Sequence, residues 1–332
     1  MAFHSLAAPS VCGALAETQF HLIAALEAGD RPAIWQHTAA LCRGIVEMER
    51  DRVPRPEIVS ALEPARRVHG ESPFVHRLQA WPRGYAGDFE TIEYLVGGTN
   101  LAPRGTRAWW AEQVALSSPI AVQHRCKVRQ QAEEIRRVCA ATPGARVLVL
   151  ACGGGRDLQV LIDQAARLDG AHLTLVDQDA DAVTLASDRG RLLGATVTPL
   201  CLDVLRGLRR AEGPFHLVLA GGLFDYLTDP TIVLVLRLAR RKLAPDGAVF
   251  FTNIAEGNPY RPWLEYLGDW QLIERTPQRL SALAAEAGLA RVRVEPDGTT
   301  LSLLVRARVS APDTSQPSAM ACSVDQLRRV EP

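Results

Sequence analysis

The stretch RVLVLACGGGRDLQVLIDQAARLDGAHLTLVD, residues 146–177, decides the fold class of this chain. An apolar run of strand length is followed by three consecutive glycines, a helical pattern and a second apolar run that ends on Asp177. Glycine lets the backbone turn sharply and approach a ligand closely at the start of a helix. A carboxylate at the end of the second strand, 22 residues after Gly155, can accept hydrogen bonds from both hydroxyls of a ribose. The stretch therefore predicts a strand–turn–helix–strand unit that binds an adenosine-containing cofactor.

Apolar strands and helical patterns continue to alternate after this unit. The predicted strands lie near residues 146–151, 172–176, 195–200, 215–220, 247–253, 290–295 and 300–308, and the predicted helices near 156–168, 179–189, 230–242 and 277–287. Such alternation is typical of a parallel sheet with helices on both faces. The last two strands flank Asp297 and Gly298, and Asp-Gly is a strong hairpin signal. We predict an α/β fold, with a mostly parallel seven-stranded sheet that ends in an antiparallel hairpin.

The chain before and after this sheet divides into recognisable parts. Helical spacing before the sheet indicates an N-terminal helical lobe, which we assign to residues 1–106, and the α/β domain follows at residues 107–309. A long connection rich in aromatic residues follows the fifth strand, and loops of this length are usually functional, so we predict a lid at residues 254–276. Residues 310–332 are rich in Ser, Pro and Ala and are predicted to be a flexible tail.

Composition and charge favour some partners over others. The 37 Lys and Arg balance the 37 Asp and Glu, so no global field attracts nucleic acid or an acidic membrane. The seven cysteines lack C-x-x-C spacing, which argues against a zinc site and a disulfide framework. No window approaches the length of a membrane span, and the first residues lack the pattern of an export signal. We expect a cytoplasmic protein with small-molecule partners and no metal, and we make no prediction of its oligomeric state.

Other strand ends extend the predicted cofactor site. Asp203 follows the third strand, where its carboxylate can accept a hydrogen bond from an exocyclic amine such as that of adenine. The glycine turn, Asp177 and Asp203 should therefore converge on one adenosine. With their neighbours at the same strand ends, the predicted cofactor-binding residues are Ala151, Gly153, Gly155, Asp177, Gln178, Asp203, Val204 and Ala220.

Several of these segments resemble a known family. The segments VLVLACGGGRDL, LTLVDQD, CLDVL and FHLVLAGGLFDYL resemble class I S-adenosylmethionine-dependent methyltransferases over roughly residues 140–309. The segments PRGYAGDFETIEYL, SPIAVQHRCKV, GGLFDYLTD and NPYRPWLEYLGDW are similar to a bacterial subgroup that includes hydroxypalmitate methyl ester synthase-like methyltransferases and azetidine-2-carboxylate synthases. The resemblance implies a Rossmann-like methyltransferase fold and S-adenosylmethionine as cofactor.

One position departs from the family pattern. The family usually has an acidic residue late in the first strand, where this chain has Val149. The resemblance assigns that acid to the methionine end of the cofactor, so another group must hold the ammonium or the carboxylate. An Arg pairs with a carboxylate through a bidentate fork. The predicted substitutes are Asp88 with Tyr85 for the ammonium, and Arg83 or Arg125 for the carboxylate.

The predicted catalytic residues are Tyr226, Tyr85, Asn253 and His124. In methyl transfer the enzyme holds the acceptor behind the methyl carbon and removes its proton where needed, and Tyr226 or His124 is the predicted proton acceptor. The same residues suit the cyclisation that the resemblance allows, in which the cofactor's own amine attacks its γ-carbon and releases methylthioadenosine.

A third possibility is a non-catalytic S-adenosylmethionine-binding regulator, which the loss of the usual acid at Val149 motivates. We favour a small-molecule methyltransferase of bacterial secondary or signalling metabolism, because methyl transfer is the commoner chemistry on this fold. Fold alone does not establish function, so all three hypotheses require a direct test.

Overall fold

The computed structural model describes residues 9–309, and side chains are described from residue 13 onward. The predicted tail at residues 310–332, including Cys322, lies outside this range, and so does the side chain of Cys12. The helices before the sheet are α1 (Pro9–Ala28), α2 (Arg31–Arg50), α3 (Arg55–Ala61), α4 (Glu63–His69), α5 (Pro73–Ala80), α6 (Phe89–Gly97), α7 (Arg107–Ser117) and α8 (Pro119–Ala141). The predicted helical region before the sheet is thus present.

Strands and helices then alternate along the chain. They are β1 (Arg146–Leu150), α9 (Arg156–Asp163), β2 (His172–Asp177), α10 (Ala180–Leu192), β3 (Thr196–Cys201), α11 (Val204–Arg210), β4 (Phe215–Ala220), α12 (Asp229–Arg240), β5 (Leu243–Ile254), α13 (Pro277–Glu286), β6 (Leu289–Pro296) and β7 (Ser302–Val309). A 3₁₀ turn at Phe224–Tyr226 and a π-helical turn at Trp263–Leu267 complete the elements. Sequence reasoning missed α11, which has only seven residues.

The sheet has the strand order β3-β2-β1-β4-β5-β7-β6. The strands from β3 to β5 are parallel, and β7 lies antiparallel between β5 and β6. Val305 of β7 pairs with Phe251 on one side and with Val294 on the other. The predicted mostly parallel seven-stranded sheet with an antiparallel terminal hairpin is therefore confirmed.

Apolar side chains bury both faces of the sheet and the interior of the helical lobe. One sheet face packs on α8, α9 and α10, and the other packs on α11, α12 and α13. The lobe core contains residues from α7 and from the start of α8, such as Leu116 and Ile120, so its contacts extend past residue 106. It also takes in Trp263, Tyr266 and Trp270 from the connection after β5. The lobe and the sheet are thus joined by two segments of chain.

The connection after β5 is packed against the lobe along much of its length. Trp263 and Tyr266 are buried in the lobe core. The Tyr266 hydroxyl donates to Glu49 Oε1 at 2.8 Å, and Arg261 pairs with the same glutamate. These rings, which contributed to the lid prediction, anchor the connection, while Trp270 reaches the cavity described below. The lid itself stays a prediction.

Helix α8 begins where the sequence predicts a break. Ser118 ends the preceding helix and caps α8, because its hydroxyl accepts a hydrogen bond from the backbone N–H of Ala121 at 3.2 Å. Pro119 occupies the first helical position, where its missing N–H costs nothing. From this start, α8 presents one stripe of side chains to the functional cavity. No helix within residues 9–309 has both the length and the apolar character needed to cross a membrane.

Candidate functional site

A cavity of about 550 Å³ lies at the carboxyl ends of β1 to β4, beneath the helical lobe. This is the edge at which open α/β sheets bind ligands, and the volume lies in the ordinary range for small-molecule sites. The sequence-predicted residues that line it are Tyr85, His124, Ala151, Gly153, Asp177, Gln178, Asp203, Val204 and Tyr226. The structure therefore brings most of the predicted cofactor residues and three of the four predicted catalytic residues to one place.

The glycine turn and Asp177 are tied together directly. The backbone N–H of Gly153 donates to Asp177 Oδ2 at 2.9 Å, and the N–H of Asp179 donates to Oδ1 at 3.0 Å. Burial nevertheless raises the pKa of the Asp177 carboxyl. Lone pairs remain on both oxygens for a ligand in the cavity, which is the geometry expected of a ribose acceptor.

Gly155 supports the turn and does not line the cavity. It has a φ of 70°, in the left-handed region that favours glycine. A Cβ at this position would lie 3.0 Å from the Cβ of Ala186, so the glycine lets α9 start against α10. Gly155 therefore makes room for the packing of α9 against α10, and its role in cofactor binding stays a prediction.

Asp203 follows β3 and lines the cavity rim. Its Oδ1 accepts from the backbone N–H groups of Leu205 and Arg206, both at 3.0 Å, and so caps α11. The side chain is 46% exposed, so it lies at the mouth of the cavity. A cap uses part of its accepting capacity and leaves the rest for a ligand amine.

Arg83 is not available to a cofactor carboxylate. Its guanidinium makes a bidentate pair with Asp179, at 2.5 Å and 2.7 Å, and also reaches Asp181 and Glu90. This ion-pair cluster joins the lobe loop to the chain after β2. Arg83 does not line the cavity, so the predicted role in cofactor binding is replaced by a bridge between the lobe and the sheet.

Asp88 lies behind the cavity wall. It is 1% exposed, caps α6 by accepting from the N–H of Thr91 at 2.7 Å, and pairs with Arg77 at 2.8 Å. Its Oδ2 has no hydrogen-bond partner among the described residues. The predicted direct contact with the cofactor ammonium is not supported, because Asp88 is absent from the cavity lining.

Three further predicted site residues have structural roles. Arg125 donates to the backbone carbonyls of Leu116 and Leu95, at 2.8 Å and 2.7 Å, and so joins three helices. Asn253 is fully buried, and its side chain links the end of β5 to Arg275. Ala220 is buried beneath the cavity and does not line it. The side chains of Arg125 and Asn253 therefore make local hydrogen bonds, and Ala220 is packed in the core.

Tyr226 and Tyr85 both line the cavity. The Tyr226 hydroxyl accepts from Trp270 Nε1 at 2.7 Å, which leaves its own proton free to donate. Tyr226 is 42% exposed as a whole, but desolvation of its hydroxyl, helped by Asp225, raises the pKa of Tyr226 above its usual range. Burial and Asp177 raise the pKa of Tyr85 to about 12. Both phenols therefore stay protonated near neutral pH and act as hydrogen-bond donors, so the prediction of Tyr226 as proton acceptor is not supported.

His124 is the stronger candidate for a proton acceptor. Its Nδ1 lies 2.9 Å from the carbonyl oxygen of Ile120, and a carbonyl can only accept, so Nδ1 carries the proton. The other ring nitrogen is then an unprotonated acceptor on a side chain that lines the cavity. Burial and the neighbouring Lys127 lower the pKa of His124 to about 3, which keeps the ring neutral at physiological pH.

A buried ion pair that sequence reasoning missed also lines the cavity. Lys127 Nζ lies 3.2 Å from Asp225 Oδ2, and the two side chains are 7% and 2% exposed. Asp225 Oδ1 accepts from the N–H of Ile254 at 2.7 Å, which ties the pair to the end of β5. Burial raises the pKa of the Asp225 carboxyl in spite of the lysine. The sequence signal that could have revealed Lys127 is its spacing from the predicted site residue His124, because residues three apart lie on one face of α8.

A charged cluster at the start of α9 was missed as well. Asp157 is 5% exposed, lines the cavity and accepts from the N–H of Leu158 at 2.8 Å. Burial raises the pKa of the Asp157 carboxyl to about 6. Its neighbour Arg156 pairs with Glu93 at 2.9 Å and has a buried Nε without a hydrogen-bond partner among the described residues. These residues lie in the quoted glycine turn, but their burial is not visible in the sequence.

Part of the chain matches a known protein family. Residues 147–247 match the family model described as a methyltransferase domain. The ubiquinone biosynthesis O-methyltransferase of Bordetella avium (strain 197N) is 25% identical over 178 residues, which cover 50% of this chain and 68% of the relative. The corresponding protein of Xylella fastidiosa (strain 9a5c) is 27% identical over 111 residues, 33% of this chain and 42% of the relative.

A solved structure shares the fold. A possible exported protein from Bordetella parapertussis superposes with a TM-score of 0.55 at 22% identity, over 68% of this chain and 80% of its own. At this identity the likeness shows the fold alone. Residues 147–247, which match the family model, contain the glycine turn, Asp177 and Asp203.

Proposed function

We propose that this chain is an O-methyltransferase that transfers the methyl group of S-adenosylmethionine to a small molecule. The observation that carries the proposal is the single cavity in which the glycine turn, Asp177 and Asp203 of a methyltransferase domain meet His124 and two protonated tyrosines. The first three groups suit the adenosine of the cofactor. The others lie where an acceptor would approach its sulfonium.

The residues present fit the adenosine end of S-adenosylmethionine. Asp177 keeps lone pairs for the ribose hydroxyls, and the turn around Gly153 carries no Cβ that would block close approach. Asp203 at the rim supplies an acceptor for the adenine amine. A bound cofactor supplies an electrophilic methyl group on a positively charged sulfur, which the faces of Tyr226 and Trp270 suit by cation–π attraction.

The methionine end has its own candidates in place of the missing acid at Val149. Asp157 is a buried carboxyl in the cavity wall that makes no salt bridge with any of the described residues, so we propose that the ammonium of the cofactor pairs with it. Arg156 lines the cavity beside it, and its guanidinium is proposed to pair with the cofactor carboxylate. This assignment replaces the one made from sequence for Asp88, Arg83 and Arg125.

His124 is proposed to accept the proton of the methyl acceptor. Its ring is neutral, its tautomer is fixed by the Ile120 carbonyl, and its free nitrogen is a hydrogen-bond acceptor. Burial lowers the pKa of His124 to about 3, which keeps the ring neutral and makes it a weak base, so we propose a phenol, the more acidic kind of hydroxyl, as the class of acceptor. The hydroxyls of Tyr85 and Tyr226 would then orient the acceptor oxygen as donors.

Product analysis tests this function. Purified protein is incubated with S-adenosylmethionine, with and without a panel of phenolic and other hydroxylated acceptors, and the products are identified by mass spectrometry. We expect S-adenosylhomocysteine to form in step with a methylated product, and only when an acceptor is present. The His124→Gln variant should bind the cofactor normally and lose turnover by about 10²–10⁴-fold.

Other products would point to the other hypotheses. Methylthioadenosine with a cyclic amino acid, formed without acceptor, would replace the methyltransferase proposal by the cyclisation. Tight cofactor binding without any product across the panel would favour the regulator. The proposal includes a physiological acceptor that belongs to bacterial secondary or signalling metabolism. The acceptor panel tests which small molecules the protein methylates.

A further inference from the structure

A second concave surface lies on the sheet face beside α8, at the edge formed by β5, β7 and β6. Its volume is about 530 Å³, and we call it the arginine groove. Five arginines and two glutamates line it, which gives a net charge of +3 on a chain whose formal net charge is zero. The charged lining residues are Glu134, Arg137, Arg291, Arg293, Glu295, Arg306 and Arg308.

The glutamates do not neutralise this charge. Glu134 accepts from both Arg137, at 2.5 Å, and Arg306, so one carboxylate serves two guanidinium groups. Among the described residues, Arg291 and Arg308 have no carboxylate partner. The groove therefore holds cationic groups whose hydrogen-bond donors are free for an anion.

The strands that carry these arginines have an energetically unfavourable arrangement. Arg293 of β6 lies directly opposite Arg306 of β7, and like charges in that position repel. The pairing shifts between Ala290 and Arg293, so β6 has an irregularity at Arg291. Arg291 also has a φ of 49°, a conformation that side chains other than glycine rarely adopt. Irregularities of this kind re-aim side chains and occur often beside functional sites.

The helix side of the groove shows the same excess of positive charge. Burial and the nearby Arg308 lower the pKa of Arg137. An anion in the groove would oppose both effects, because its negative charge stabilises the charged guanidinium of Arg137 and offsets the repulsion from Arg308. The floor contains Phe250 and Leu304, which provides apolar contact for the organic part of a ligand.

We propose that the arginine groove binds a small organic diphosphate. Arginine forks match phosphate oxygens in bidentate geometry, and a diphosphate presents two adjacent groups of such oxygens. A concave site of this volume is in the range of small-molecule pockets, which favours a small ligand over an extended acidic protein or nucleic acid. The zero net charge of the chain also gives no long-range attraction for a large polyanion.

This site is independent of the proposed methyl transfer. Helix α8 presents Lys127 and Gln131 to the cofactor cavity, and Gln130 and Arg137 to the arginine groove. The two ligands would therefore bind on different sides of one helix. Binding of a diphosphate should persist in a variant whose cofactor site is disabled.

Calorimetric titration of the purified full chain with inorganic pyrophosphate, at fixed ionic strength, tests the proposal. We expect saturable binding to one site, weakened about tenfold or more in both Arg308→Gln and Arg291→Gln. The matched control Arg167→Gln removes an exposed arginine that pairs with Asp169 outside the groove, and it should bind like the unmodified chain. Asp177→Ala, which disables the ribose contact, should also bind pyrophosphate normally.

Several results would overturn the proposal. These are the absence of saturable binding, equal binding by the groove variants and the Arg167 control, or tighter binding of an acidic peptide or an oligonucleotide than of pyrophosphate at the same ionic strength. Far-ultraviolet circular dichroism establishes that each variant is folded. Arg308→Lys gives a further check, because it keeps the charge without the fork and should bind pyrophosphate more weakly than the unmodified chain and more tightly than the Arg308→Gln variant.

Discussion

Replacing Asp157 by Asn tests whether this carboxyl in the cavity wall lacks a cationic partner in the cofactor-free protein. Burial raises the pKa of Asp157 from 3.8 to about 6. A shift of about 2 units corresponds to roughly 3 kcal/mol, since each unit is worth about 1.4 kcal/mol. Because the folded protein holds this proton more tightly than the unfolded chain, the contribution to stability is complete below pH 3.8 and is lost as the pH rises through 6.

The assay is urea unfolding of the cofactor-free protein from pH 4 to pH 8. Asp157→Asn keeps an acceptor for the N–H of Leu158 and removes the titration, so the variant should gain up to about 3 kcal/mol over the unmodified protein as the pH rises from 4 to 7. Asp163→Asn is the matched control, because Asp163 lies exposed at the other end of α9 and should show no such gain. Parallel stability curves for Asp157→Asn and the unmodified protein would refute the reasoning.

The same substitution also tests the proposed ammonium contact. A bound ammonium favours the ionised carboxylate, so the affinity of the unmodified protein for S-adenosylmethionine should rise between pH 5 and pH 7. Asp157→Asn should flatten this dependence and weaken binding by about 1.5–3 kcal/mol, the usual contribution of a hydrogen bond to a charged group. Unchanged affinity would remove Asp157 from the cofactor site.

Three other predictions follow from the cavity. Asp177→Ala should weaken S-adenosylmethionine binding by about 1.5–3 kcal/mol, measured by calorimetry, and unchanged affinity would contradict the ribose assignment. Lys127→Met alone should lower the free energy of unfolding by about 3–5 kcal/mol, because it leaves the buried Asp225 carboxylate without its cationic partner; the added change Asp225→Leu should restore much of the loss, and denaturant curves that show no recovery would contradict the pairing. Gly87→Ala should reduce turnover sharply in the product assay, since its Cβ would lie 2.2 Å from a tyrosine hydroxyl in the cavity, and normal turnover would mean that this loop is free to move.

The fold could be predicted because local and global signals agree. Apolar runs of strand length alternate with helices, and Asp297 and Gly298 mark the hairpin that makes the sheet end antiparallel. The contact between the glycine turn and Asp177 could also be predicted, because a turn and an acid at the next strand end need only local order to meet. Both features depend on periodicity and on the ends of strands, which a sequence reveals.

The rest of the site depends on burial and on long-range contacts. Arg83 and Asp88 have the right chemistry for the methionine end, but in the folded chain other charged groups already occupy them. An acid in the first turn of a helix is a common pattern, and only packing in the folded chain buries the carboxyl of Asp157. Lys127 pairs with Asp225, 98 residues later in the chain, and no local pattern predicts such a contact.

Calorimetric titration with S-adenosylmethionine tests the central claim most directly, because every step of the proposed function requires this cofactor in the cavity. We expect one site per chain, an affinity weakened at least tenfold by Asp177→Ala, and no change in the groove variant Arg308→Gln. The absence of saturable binding, or equal affinity in the Asp177→Ala variant, would contradict the account.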